Sequence, residues 1–383
     1  MTVRVALIGG PMYNALYTRL DQFSQQSGVQ VEVAFVGDHP ALNTFLATDA
    51  AADCHVVSTH TKYAPSQRRL LAPLDELLTP AEWSDFMPSL LELARIDGRL
   101  YGIPRNIDVR LLHYRTDLID HPPATWDELL DLARRVNHPP EWYGFLFPGT
   151  ESGLFGTFYE LVESANARLF SPDLTPDIEN DGGRWALGFL RTCYAEGLVP
   201  PEIVTWHYDE VHLWFRAGRA AMVGDWPGYY ADYCATDSQV RERFALALYP
   251  AGPSGVVRVY GGSHTFALTR RGVEQADAVA LLRFLTAPEQ QLLEAKQGST
   301  PVRHSVMQRI EQHHATPHER QRWATLAAAI ERVVIPPKFE RYPLVEQALW
   351  TTVQQAMVGA IAIDEALHRL TDQITRIVAG NDE

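Results

Sequence analysis

Strand-like and helix-like runs alternate through the first hundred residues, and few architectures accept that order. VRVALIG (3–9) is followed by a stretch in which Tyr13, Leu16, Tyr17, Leu20 and Phe23 recur at helical spacing, with Gly28 as its stop. VQVEVAFVG (29–37) and DCHVVST (53–59) then read as further strands. A β-α-β-α order implies a mainly parallel sheet covered by helices. At 383 residues and 46% hydrophobic content the chain is long and apolar enough for two or three cores.

Two strand patterns are interrupted. In DGRLYGIPRNIDVRLLHYRTDLI (97–119) the apolar runs LYGIP and VRLLHY are separated by RNID, and in VVRVYGGSHTFALT (256–269) Gly261 and Gly262 break the run. Both read as places where the chain crosses between two units. Thr79 with Glu82, Thr125 with Glu128 and Thr286 with Glu289 carry the capping-box pattern and mark helix starts. NHPPEWYGFLFPGTESG (137–153) reads as a loop, and the chain from His318 onward reads as helical.

Several chemistries are excluded. A formal net charge of -14 argues against nucleic acid as a partner, because phosphate binding needs a basic surface. Cys54, Cys193 and Cys234 are odd in number and widely spaced, which indicates neither a zinc site nor a disulfide framework. Gly9 and Gly10 after the first strand lack the third glycine of a dinucleotide fingerprint. No P-loop, nucleophile elbow or H-E-x-x-H is present. His313, His314 and His318 surround Pro317 in a polar stretch and read as a loop, not as metal ligands. The expectation is therefore no cofactor, no metal and no catalytic residue. Asp108, Glu151 and Asp225 fall in loops and could line one cleft as a glycosidase pair would, but nothing in the sequence shifts their acidity, so binding is the better reading.

These motifs, in order, resemble an extracellular solute-binding protein of ABC importers, of the family that includes maltose-binding and other sugar receptors. The resemblance rests on LLAPLDELL (70–78), the 97–119 stretch with PPATWDELLDLARRV, FRAGRAAMVGDWPGYY (215–230), GGSHTFALTRR, LLRFLTAPEQQ and GSTPVRHSV (298–306). It implies a two-lobed α/β fold of the type II periplasmic-binding-protein kind, each lobe a mainly parallel sheet flanked by helices. The lobes would be 1–108 with 265–308, and 109–264 with 309–383, joined by a hinge. It also implies a carbohydrate in the cleft, delivery to membrane permease subunits, and a monomer. The location would be extracytoplasmic, an export signal having been removed ahead of VRVALIG.

In open α/β sheets ligands sit at the carboxyl ends of strands. That rule points to Gly10, Met12 and Tyr13 after the first strand and to Ser58, Thr59 and His60 at the end of DCHVVST. Asn106, Asp108, Gly262, Ser263 and His264 lie on the crossings, and Glu151, Ser152, Asp225, Trp226 and Tyr229 are expected from the second lobe. The resemblance implies a sugar-stacking role for Trp226, whereas Trp126, Trp185, Trp214 and Trp323 lie on helical apolar faces and read as core. The alternative is the same receptor role for a polyol, sugar acid or other small anionic solute: Arg105 and Arg110 flank the first crossing, and either one, turned into the cleft, would clamp a carboxylate or phosphate.

Overall fold

The computed structural model describes residues 2–312 and 316–381. The chain begins with strands β1 (Thr2–Ile8), β2 (Gln30–Gly37) and β3 (Val56–His60). A small hairpin of β4 (Arg95–Ile96) and β5 (Arg99–Leu100) precedes β6 (Ile103–Pro104). Next come β7 (Asp108–Val109), β8 (Leu111–Arg115), β9 (Tyr143–Leu146), β10 (Ala220–Asp225) and β11 (Phe244–Ala247). The last strands are β12 (Val259–Gly262), β13 (His264–Leu268) and β14 (Val333–Val334).

The first lobe is built on a sheet of order β2-β1-β3-β13-β6. β1 lies parallel to β2 and β3, and β13 pairs antiparallel with β3 and β6. β3 is buried at all five residues, as an interior strand covered on both faces must be. The helix Leu20–Ser27 ends at Gly28, whose φ of 73° closes the turn and lets its amide bond Ser24 O. The second lobe has the order β11-β8-β10-β9, with β10 parallel to β9 but antiparallel to β8. Both sheets are mainly parallel in strand direction, as expected, with one reversed strand in each, β13 in the first and β8 in the second. The cause is the hinge: β13 and β8 each begin where the chain arrives from the other lobe, so they run against the strands built by crossover helices.

The crossings form a small sheet of their own, β14-β12-β7. Gly261 faces Val109 and Gly262 faces Asp108 in antiparallel register, so the two interrupted runs are neighbours. Gly262 is required by close approach: a Cβ there would stand 2.2 Å from His60 Nε2. The third strand of this sheet, Val333–Val334, was expected to be the end of a helix, but the helix Pro317–Ile330 stops first and Val333 pairs with Val259. Two residues are too few to show a strand period.

Other expectations also change. The 137–153 loop contains β9, and Thr286 closes the helix Ala276–Leu285 because Ala287 takes the N-cap before Pro288. Helix Tyr342–Met357 packs on helices Glu151–Ser164 and Ile363–Ala379, which places the C-terminal helices on the second lobe. His313 and His314 lie outside the described residues, as does the side chain of His318. No described helix is long and apolar enough to cross a membrane.

Candidate functional site

A cavity of about 200 Å³ opens between the lobes, at the end of the first sheet where β1 and β3 finish and β13 begins. Its first-lobe wall carries Ile8, Gly9, Gly10, Tyr13, Asp38, His39, Pro40, His60, Lys62 and His264. Asp108, Tyr260 and Gly262 come from the crossings, and Ser152, the 207–210 turn, Trp226 and Tyr229 come from the second lobe. Gly10 has a φ of 135°, a region L side chains rarely adopt, and it turns the chain directly into Pro11 at the helix start.

Nine of the residues expected from sequence therefore meet in one cavity: Gly10, Tyr13, His60, Asp108, Ser152, Trp226, Tyr229, Gly262 and His264. The Met12 side chain lies outside the described residues. Six others do not line the cavity, each for a local reason. Ser58 and Thr59 sit inside β3, where Thr59 bonds the Gln67 side chain; only His60 reaches the strand end. Asn106 donates to Asp108 Oδ2 at 2.8 Å and takes the His264 amide at 3.2 Å, so it orients residues that do face the cavity. Ser263 donates to the Asn106 carbonyl at 2.8 Å. Glu151 opens a helix with a φ of 50° and stays half-buried beside the cavity, not in its wall. Asp225 is 1% exposed and takes the Trp226 amide at 2.8 Å and the Tyr233 hydroxyl, so it fixes the tryptophan loop. It cannot serve with Asp108 as a pair facing one substrate.

Neither arginine lines the cavity. Arg105 bonds Glu294, the Tyr17 hydroxyl at 2.9 Å and the Tyr13 carbonyl at 3.3 Å, all within the first lobe. Arg110 bonds Thr157 Oγ1 at 2.7 Å, Glu160 Oε1 at 3.0 Å and Gly153 O at 2.9 Å. Its guanidinium carbon lies 5.3 Å from the Trp226 ring centre and 5.4 Å from those of Tyr208 and Tyr260, a buried cation supporting the aromatic side of the cavity. The one lysine in the wall, Lys62, donates 2.6 Å to Glu346 Oε1 and 2.9 Å to the Tyr260 hydroxyl.

Sequence reasoning missed Asp38 and His39, although the rule that found Gly10 and His60 applies equally to the loop after β2. It also missed Lys62, Tyr208, Asp209, Glu210 and Tyr260. These depend on lobe packing that no local pattern records.

Burial dominates the site's electrostatics. It pushes the Asp108 carboxyl up to about 7, and its Oδ1 has no hydrogen-bond partner. It holds His264 down to about 3 and His207 down to about 4. Native Asp108 keeps its proton to about pH 7 whereas the unfolded carboxyl loses it near about pH 4. The folded state then binds more protons across that window, so stability falls as pH rises through it. Asp108→Asn is expected to flatten this fall, measured by urea unfolding at about pH 5 and about pH 8; an unchanged slope would contradict the assignment.

Two lobes around a cleft lined by residues from both, with strand ends and helix starts pointing in, define a solute-binding architecture. The sequence profile of bacterial extracellular solute-binding proteins matches residues 18–320. The chain belongs to that family. A Deinococcus radiodurans protein described as a probable ABC transporter-binding protein is 25% identical over 320 residues, 80% of this chain and 76% of its own. A binding protein of Brucella abortus is 25% identical over 255 residues, which span 64% of this chain and 60% of the relative. Among solved structures, the maltose-bound MalE3 of T. maritima superposes with a TM-score of 0.90 at 22% identity, covering 98% of this chain and 99% of the other. A solute-binding protein of Agrobacterium radiobacter K84 in complex with ribitol gives 0.86 at 18% identity, covering 98% of each chain.

Proposed function

We propose that the protein is the substrate-binding receptor of an ABC-type importer, taking a sugar, oligosaccharide or polyol into the cleft. In this reading the lobes, 1–108 with 265–308 and 109–264 with 309–383, close about the crossings. The observation that carries it is the division of the cavity wall. Trp226, Tyr208 and Tyr229 present rings from the second lobe, while Asp108, His60 and His264 present polar atoms from the crossing and the first lobe. A pyranose or polyol has the matching character, with an apolar C–H face and hydroxyls at its edges. The proposed ligand contacts are the nine expected residues in the wall, together with His39, Lys62 and Tyr260. The maltose and ribitol complexes of proteins with this fold support the ligand class. The protein works outside the cytoplasm as a monomer, and membrane permease subunits are its partners.

Contacts from both lobes favour the closed form, because a ligand shifts such an equilibrium only by its differential affinity for the two states. An anionic ligand is not favoured: both arginines are tied within their lobes, and Lys62 is paired with Glu346. A thermal-melt screen with mono-, di- and trisaccharides and with polyols tests the reading. A true ligand at ~100 times its Kd adds about 2.7 kcal/mol of stability. Stabilisation by another nutrient class and by no carbohydrate or polyol would overturn it.

A further inference from the structure

Three histidines from three separate segments meet in the first-lobe wall. His39 follows β2, His60 ends β3 and His264 begins β13, and each offers a ring nitrogen within 4.8 Å of those of the other two. Ring centres are 5.1 Å apart for His39 and His60, 4.8 Å for His39 and His264, and 4.9 Å for His60 and His264. Register makes the cluster, since β3 and β13 pair His60 directly opposite His264. His60 and His264 are 7% and 5% exposed.

We propose that His39, His60 and His264 hold a divalent transition-metal ion of the zinc class in the wall of the cleft. The site runs against the sequence expectation of no metal, and the reason is plain: the ligands are separated by 20 and 203 residues, which no spacing motif records. The proposal goes beyond the carbohydrate reading and stands or falls without it.

Three arguments carry it. First, His39 and His264 line the cavity and no hydrogen bond to another described residue occupies their ring nitrogens, which leaves those lone pairs available to a ligand from the cleft. Second, Lys62 N–H donates to His60 Nδ1 at 3.2 Å, which selects the tautomer whose Nδ1 carries the lone pair. Coordination through that atom keeps the tautomer and replaces one long contact. Third, Asp108 is 6% exposed, lines the same cavity and leaves Oδ1 unpartnered, while its Oδ2 lies 3.9 Å from His264 Nε2. A single cation among the three rings would take up the nitrogens of His39 and His264, displace one long hydrogen bond at His60, and lie beside the Asp108 carboxyl. Imidazole donors select zinc, cobalt, nickel or copper over calcium and magnesium, which take oxygen. Three protein nitrogens leave a coordination position open toward the cavity, where a ligand hydroxyl or water would bind.

The test uses tag-free full-length protein, stripped with EDTA and titrated calorimetrically with zinc, cobalt and calcium chlorides in the absence of sugar. The expected result is one zinc or cobalt per chain at micromolar Kd or tighter, cobalt absorption bands typical of a low-coordinate nitrogen site, and no calcium binding. His39→Ala and His264→Ala should each weaken zinc by at least tenfold, with circular dichroism in EDTA unchanged. His304→Ala, at an exposed position, should bind as the parent does. If either cluster variant fails to fold, His39→Gln and His264→Gln are read in its place. No stoichiometric binding, or binding equal in the cluster variants and the parent, overturns the site. Sugar stabilisation without metal binding would leave the receptor reading intact and remove this one.

Discussion

Glu346→Gln is expected to cost the folded chain about 3–5 kcal/mol, the range for breaking one partner of a buried ion pair. Lys62 follows β3 of the first lobe, and Glu346 sits on the helix Tyr342–Met357, which packs on second-lobe helices. The pair therefore spans the lobes. Their side chains are 4% and 6% exposed, and the Tyr63 hydroxyl bonds the second Glu346 oxygen. Removing the carboxylate charge leaves the Lys62 ammonium buried beside the Tyr260 hydroxyl with no counter-charge. Urea unfolding read by circular dichroism measures the loss, and a change below about 1 kcal/mol would mean that water reaches the pair. The double variant Lys62→Met with Glu346→Leu should recover much of the loss, because an apolar pair carries no desolvation penalty.

Trp226→Ala is expected to weaken carbohydrate binding by about 2 kcal/mol, roughly 30-fold, the scale of a central aromatic contact. The ring is held from several sides. Tyr208 lies edge-on at 5.4 Å between ring centres, Tyr260 at 5.9 Å, and the Arg110 guanidinium supports it at 5.3 Å. The backbone amide is pinned by Asp225, so the indole is pre-oriented and little ordering entropy opposes stacking. Calorimetry with the best saccharide from the melt screen gives the affinity. An affinity within threefold of the parent would make Trp226 a structural residue.

The sequence showed the site best where it lay next to a strand end. Gly10, Tyr13 and His60 follow β1 or end β3, and the rule that ligands gather at carboxyl ends found them without any tertiary information. The RNID interruption was legible as a crossing for a related reason: Arg105, Asn106 and Asp108 are polar where a continuous strand would be apolar. Their division of labour was not legible. Asp108 faces the cavity, Asn106 holds it, and Arg105 turns back to Glu294, a partner 189 residues further along the chain. Asp225 illustrates the same limit. A carboxylate in a Gly-Asp-Trp-Pro-Gly loop reads as exposed, yet the Tyr233 hydroxyl and the Trp226 amide draw it inward. The antiparallel pairs at β8 and β13 and the two-residue strand β14 also depend on where the chain comes from, which periodicity does not encode.

In the proposed complex one carbohydrate or polyol ligand sits between the lobes, with its ring or carbon chain against Trp226 and its hydroxyls at Asp108 and the His60–His264 wall. A crystal structure of the complex with the most stabilising compound from the screen tests it directly. Ligand density packed against Trp226, with a hydroxyl within hydrogen-bond distance of Asp108 Oδ1, is the predicted result. Density at another surface, with the interlobe cavity holding only water, would contradict it.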